Sequence, residues 1–362
     1  MRNINKIMEN EDLENSRIYK NEQAWAAFSE LLKQRGSSKI FVIADENTTL
    51  HCLPYFSEKI KKFSYQTITI PSGENHKNLD CCKTVWQELA DKGADPSSLI
   101  INLGGGVVTD LGGFVASTFK RGVDFINIPT SLLAMVDAAV GGKNGVDLGI
   151  VKNQIGVIKN PELVLIDTRF LETLPEEQLL SGLAEMLKHG LIHSQEYWDK
   201  MKNIDLKNTQ ELETLIWESI QIKNEIVRKD PLEQHLRKTL NYGHTLGHAI
   251  ESHFLDKPGK KPLLHGEAVA AGIVLATYLS AEMFDFPKEK LAEVSQTMFK
   301  FFPKQHFDQN DVEAILKLTA FDKKNRNGQV LFVLLQEIGN PQINCIVNNE
   351  LIFKAFDYYK NF

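Results

Sequence analysis

Apolar positions in the first half of the chain fall in short runs rich in β-branched residues, separated by stretches with helical spacing. Lys39–Ala44 (KIFVIA), Gln66–Ile70 (QTITI), Leu99–Leu103 (LIINL), Phe125–Ile128 (FINI) and Leu163–Ile166 (LVLI) read as buried strands. Turn residues bound them, among them Asp45, Pro71-Ser72-Gly73 and Gly104-Gly105-Gly106. Asn21–Gln34 and Asn78–Lys92 carry the helical period. This alternation predicts an α/β domain of nucleotide-binding type with a largely parallel sheet. Past Leu174-Pro175 the pattern turns helical over Glu176–His193, Leu206–Lys229, Arg237–His253, Leu264–Phe284, Lys288–Phe301 and Asp311–Leu318. One apolar run, Val330–Leu335, interrupts it as a short strand or hairpin. The expected organisation is an α/β domain over 1–172 and an all-helical domain over 173–362, with ligands bound in a cleft between them.

Composition narrows the function classes. The chain has 362 residues, 43% of them hydrophobic and 24% charged, which fits two globular domains and excludes a disordered chain. A net charge of −6 argues against nucleic acid and anionic membranes as partners. The longest strongly apolar run, Ala268–Leu279, is shorter than the ~20 residues that a bilayer requires and suits a buried helix. Cys52, Cys81, Cys82 and Cys345 form no C-x-x-C pair, so the chain reads as reduced, cytoplasmic and without a thiolate zinc site. The polar N-terminal residues lack the apolar core of an export signal.

Three groups of residues carry candidate chemistry. Eleven of the 23 glycines lie between residues 101 and 160. Gly104–Gly106 end a strand and lead into a helix, a turn whose backbone N–H groups suit a pyrophosphate, although Thr109 breaks the dinucleotide fingerprint. Gly141-Gly142-Lys143-Asn144 is not a Walker loop, and close helix–sheet packing is the competing account of these glycines. His244 and His248 stand one helical turn apart, His265 opens the most apolar helix, and Glu185 lies inside another apolar helical stretch. Carboxylate and imidazoles from separate helices are the donors of an open catalytic zinc site, and hydrogen-bonded core histidines fit the same pattern. Finally, Lys143, Lys152, Lys188, Lys223 and Arg237 sit in or beside apolar stretches, as a multiply anionic substrate such as a phosphorylated carboxylic acid requires.

Taken together, these segments resemble the 3-dehydroquinate synthase family. The resemblance rests on PSGENHK (71–77), LGGGVVTDLGGFVASTFKRG (103–122), IPTSLLAMVDAAVGGKNGVD (128–147), VKNQIGV (151–157), LETLP (171–175), SGLAEMLKHG (181–190), LRKTLNYGHTLGHAIE (236–251), LLHGEAVAAG (263–272) and FDKKNRNG (321–328). It implies a zinc- and NAD-dependent lyase that converts 3-deoxy-D-arabino-heptulosonate 7-phosphate to 3-dehydroquinate and phosphate. The implied route is transient oxidation, phosphate elimination, re-reduction and intramolecular aldol closure, with no net redox change.

By match to the family pattern, Glu185, His244 and His265 are the implied metal ligands, with His248 on the substrate side. Cofactor contacts fall to Asp45, Asn47, Glu74, Lys77, Gly104, Gly105, Gly106, Asp110, Thr130, Ser131, Lys143, Lys152 and Thr173. Lys143, Asn153, Asn241 and a lysine of Lys323-Lys324, assigned to Lys324, are expected around the phosphate. Lys223 and Arg237 are expected at the carboxylate, and Asp137 and Lys188 at the ring hydroxyls. Arg121 is expected to reach the partner's site in a homodimer. Two positions depart from the pattern: Asn144 stands where Thr is usual, and His235 where Gly is usual, which predicts a strained turn near Arg237. Another sugar phosphate cyclase and a metal-dependent polyol dehydrogenase are the competing readings.

Overall fold

A computed structural model describes residues 17–36, 38–149, 151–255, 257, 261–319 and 330–362. The chain forms two compact units that divide between Pro175 and Glu176.

Unit one runs β1 (Ile18–Lys20), α1 (Asn21–Arg35), β2 (Ile40–Asp45), α2 (Glu46–His51), α3 (Leu53–Lys59), β3 (Gln66–Ile70), α4 (Leu79–Asp91), β4 (Leu99–Gly104), α5 (Gly106–Thr118), β5 (Asp124–Pro129), β6 (Lys143–Leu148), β7 (Val151–Ile158) and β8 (Leu163–Ile166). Six strands form one sheet in the order β1-β8-β5-β4-β2-β3, and every pairing is parallel. Every residue of β4 and β8 is buried, the state expected of parallel strands covered on both faces. Phe41, Ile43 and Ile100 pack with Val108 and Leu111 of α5, so the sheet and this helix share one core. The order brings the carboxyl ends of β2, β4 and β5 side by side, placing Asp45, Gly104 and Pro129 along one sheet edge.

The sequence pattern misses three parts of this unit. β1 is too short to show a period and is held by parallel pairing to β8. The helices α2 and α3 follow a capping box in which Asp45 accepts the Thr48 N–H at 2.7 Å. The glycine-rich stretch after residue 142 forms the antiparallel hairpin β6–β7, separate from the main sheet, where Gly145 faces Gly156.

Unit two contains α6 (Glu176–His193), α7 (Gln195–Lys202), α8 (Thr209–Lys229), α9 (His244–Leu255), α10 (His265–Phe284), α11 (Lys288–Phe301), α12 (Gln309–Thr319), β9 (Leu331–Glu337), β10 (Asn340–Ile346) and α13 (Asn349–Asn361). It is mostly helical rather than all-helical: the Val330–Leu335 run becomes β9, paired antiparallel with β10. The apolar helix α10 is long enough to span a bilayer, but 13 of its 20 residues are buried within the protein, as in a core helix. The single helix expected over Arg237–His253 is instead a 3₁₀ segment, Leu236–Asn241, followed by α9. Gly243, at φ +76°, separates them. The start expected at Leu206 moves to Thr209 because Asn208 caps the helix, accepting the Glu211 N–H at 3.2 Å.

Candidate active site

In unit one, β4 ends on Gly104, and Gly105 caps α5 without a side-chain hydrogen bond, leaving the first N–H groups of that helix to face whatever lies beyond the sheet edge. Thr130, at the end of the neighbouring strand, is buried and donates its N–H to the Gly104 carbonyl at 3.0 Å. The Ser131 hydroxyl accepts the Ala134 N–H at 3.3 Å, and Asp137 follows on a π turn, Ala134–Ala138. Asn47 lies exposed on α2, beside the Asp45 cap. Thr173 ends a 3₁₀ segment that begins at Thr168.

The same unit gathers a charged cluster. Lys77 is 4% exposed, with its ammonium 2.8 Å from Glu74, 3.6 Å from Asp110 and 3.8 Å from Asp147. Lys152 also reaches Glu74, at 3.1 Å. Burial alone would lower the Lys77 pKa, but the three carboxylates raise it, so this lysine stays charged. Asp147 goes the other way: burial raises it, against the pull of Lys77. Its Oδ1 accepts the N–H of Asn153, a left-handed residue at φ +52°, at 2.7 Å. Lys143 is exposed at the start of β6. Arg121 is exposed at φ +70° on the turn after α5.

In unit two, Glu185 of α6 is fully buried, and neither carboxylate oxygen accepts a well-aimed hydrogen bond among the described residues. Its Oε1 instead faces Nε2 of His244 at 3.2 Å and Nε2 of His265 at 3.4 Å, while the buried Lys188 ammonium sits against Oε2. Both imidazoles are oriented from behind. His244 Nδ1 lies 3.0 Å from the Tyr242 carbonyl, and His265 Nδ1 lies 3.2 Å from Glu251 Oε2. Donation from each Nδ1–H would leave each Nε2 as the ligating atom, and both Nε2 atoms lie within 3.4 Å of Glu185 Oε1. Two ligands held by one tetrahedral zinc at about 2.0–2.1 Å stand about 3.3–3.4 Å apart, so these two separations fit a metal's donor set. His248 lies close as well: its ring centroid is 5.0 Å from that of His244 and 5.8 Å from that of His265.

The electrostatics agree with the geometry. Burial would raise the Glu185 carboxyl, but Lys188 and His244 hold it well below the usual carboxylate range. Burial and Lys188 lower His244. Burial would lower His265 too, yet the carboxylates of Glu251 and Glu185 carry it up to about 10. The position between His265 Nε2 and Glu185 Oε1 therefore favours positive charge, which a divalent cation supplies.

Lys223 lies buried on α8, and Arg237 and Asn241 share the 3₁₀ segment. Asn241 donates to Glu233 Oε1 at 2.7 Å. His235, where strain was expected, caps the 3₁₀ segment at φ −137° and ψ −98°. This side chain is exposed, and the left-handed residue of the loop is Glu233, at φ +57°. Lys323 and Lys324 lie outside the described residues. Sequence reasoning missed Asp147, Glu251 and Asp230. Glu251 carried a signal, three residues after His248 on one helix face, but carboxylates orienting a neighbour have no spacing of their own.

Residues 67–181 match the N-terminal family of 3-dehydroquinate synthase, and residues 182–325 match the C-terminal family. A 3-dehydroquinate synthase from Parabacteroides distasonis is 43% identical over 325 residues, covering 89% of this chain and 91% of its own. Among solved structures, 2-epi-5-epi-valiolone synthase from Streptomyces hygroscopicus, with NAD+ and Zn2+ bound, superposes with a TM-score of 0.83 at 24% identity, covering 95% of this chain and 96% of its own. A 2-deoxy-scyllo-inosose synthase with carbaglucose-6-phosphate, NAD+ and Co2+ gives 0.80 at 23% identity, covering 93% and 95%. Both share the fold of this chain.

Proposed function

This chain belongs to the 3-dehydroquinate synthase family, and from that premise we propose how its residues divide the work of converting 3-deoxy-D-arabino-heptulosonate 7-phosphate to 3-dehydroquinate and phosphate. It is an enzyme of that type, a carbon–oxygen lyase. The observation that supports the reading best is the buried Glu185 carboxylate with two oriented imidazoles converging on one of its oxygens. Glu185, His244 and His265 would hold zinc, or cobalt in its place, and His248 would face the substrate. When bound, the metal supplies Lewis acidity to adjacent substrate hydroxyls, and NAD supplies a hydride acceptor that is restored within the same turnover.

The protein's own contribution is positioning and charge. The Gly104–Gly106 turn offers backbone N–H groups to the dinucleotide pyrophosphate, with Asp45, Asn47, Glu74, Lys77, Asp110, Thr130, Ser131, Lys143, Lys152 and Thr173 around the cofactor. Lys143, Asn153, Asn241 and Lys324 hold the phosphate. Lys223 and Arg237 hold the carboxylate, and Asp137 and Lys188 steady the ring hydroxyls. Arg121, exposed on its turn, suits a residue that serves the partner's site in a cytoplasmic homodimer. These groups together serve one task, recognition of a substrate with a phosphate at one end and a carboxylate at the other.

The test is product identification with purified enzyme, NAD and metal. Release of phosphate with 3-dehydroquinate and no accumulating NADH is expected. Stoichiometric NADH would indicate a polyol dehydrogenase instead, and an inosose or valiolone product would indicate another sugar phosphate cyclase.

A further inference from the structure

Arg237 owes its place to a loop that has little apolar anchorage. Between the end of α8 and the 3₁₀ segment at Leu236, residues 231, 232, 234 and 235 are exposed, Leu232 at 62%. Asp230, the first residue after α8, is by contrast 9% exposed. Its Oδ1 accepts the Gln234 N–H at 3.0 Å, and its Oδ2 accepts the N–H groups of His235 at 2.7 Å and Arg237 at 3.0 Å. Three backbone donors on one carboxylate wrap the chain around it. That wrapping turns the Pro231 carbonyl toward Arg237, whose Nη1 donates to it at 2.7 Å. It also carries Glu233, at φ +57°, to where its carboxylate accepts from Asn241.

We propose that Asp230 is a positioning residue for substrate recognition: by folding residues 230–237 around its carboxylate, it fixes both the main chain of Arg237 and the carbonyl on which the guanidinium rests. The substitution Asp230→Asn keeps the shape but replaces one acceptor oxygen with an amide whose N–H groups face backbone N–H groups. Arg237 then loses its fixed aim. This role rests on the assignment of Arg237 to the substrate carboxylate, and the experiment separates the two.

Michaelis parameters would be measured for the full-length, metal- and NAD-loaded enzyme as wild type, Asp230→Asn, Arg237→Ala and the double variant. Thermal midpoint and NAD binding serve as controls on folding. Misplacing a group that binds substrate and transition state equally raises KM by about tenfold or more while kcat stays within about threefold. The double variant is expected to fall well short of the product of the two single effects, because both changes remove the Arg237 interaction. If Arg237→Ala raises KM and Asp230→Asn does not, the positioning role is wrong and the carboxylate assignment stands. If Arg237→Ala leaves KM unchanged, the assignment fails and the proposal fails with it. Fully multiplicative effects in the double variant would also overturn it, since Asp230 would then act by another route.

Discussion

The proposed metal donors and their supports make different demands at the scale of single residues. Glu185, His244 and His265 were legible as candidates because carboxylate and imidazole stand inside apolar helical stretches, a pattern core histidines share, and the family resemblance singled them out. Glu251 was not, since its role lies in contact with a ring 14 residues away on the next helix. Glu251→Gln is expected to weaken metal affinity about 10- to 100-fold while the fold persists, which titration against a chelator would measure. Glu185→Gln should leave purified enzyme without stoichiometric metal, as elemental analysis would show. Asn144 has a simpler explanation than its departure from the family pattern suggested. Its amide donates to the carbonyls of Gly142 at 2.9 Å and Lys159 at 2.8 Å, tying the two ends of the β6–β7 hairpin, a bridge that one threonine hydroxyl proton could not make. A Cβ on Gly113 would overlap this side chain, so one glycine of the cluster serves packing. Asn144→Ala would leave both carbonyls without this donor and should cost about 1–3 kcal/mol in urea unfolding.

Elements were legible where their period was long and uninterrupted. QTITI and LVLI became strands with the bounds read from sequence, and Glu176–His193 became α6 with the same ends. The helical period also runs through residues 237–253, and there it misled, because the break depends on one backbone angle. Gly243 at φ +76° lets the chain leave the 3₁₀ segment and begin α9 on His244. A Cβ there would come within 2.7 Å of Ile273 Cγ1 and 3.0 Å of the Ile273 nitrogen on α10. Gly243→Ala is expected to destabilise the protein by more than about 1 kcal/mol and to lower metal content, since His244 follows directly. Denaturant unfolding and metal analysis would test both effects.

For the whole molecule, each unit has its own acid-sensitive anchor. In unit one, Asp167 accepts from Trp25 Nε1 at 2.6 Å, Tyr55 at 2.7 Å and the Arg169 guanidinium. Burial raises this carboxyl, but these donors hold it below its ordinary value. In unit two, burial likewise raises Asp311, while Lys257 and His253 hold it down at about 2, below its ordinary 3.8. Both carboxylates bind fewer protons folded than unfolded, so their stabilisation is complete above pH ~4 and is lost as pH falls through the folded values. Acid unfolding followed by circular dichroism should steepen below pH ~4, and Asp311→Asn should flatten that limb while lowering stability at neutral pH.

By itself, the sequence determined the α/β first half, the largely helical second half and the residue types of the proposed metal and anion site. These follow from local hydrophobic period and from the rarity of charge in apolar runs. Tertiary structure alone decided that Glu185 Oε1 meets two imidazoles, that Glu251 backs one of them, and that Asp230 folds the loop bearing Arg237. Those pairings join residues by distance and direction, and a carboxylate accepts a hydrogen bond from any donor the fold delivers, so no spacing along the chain encodes them.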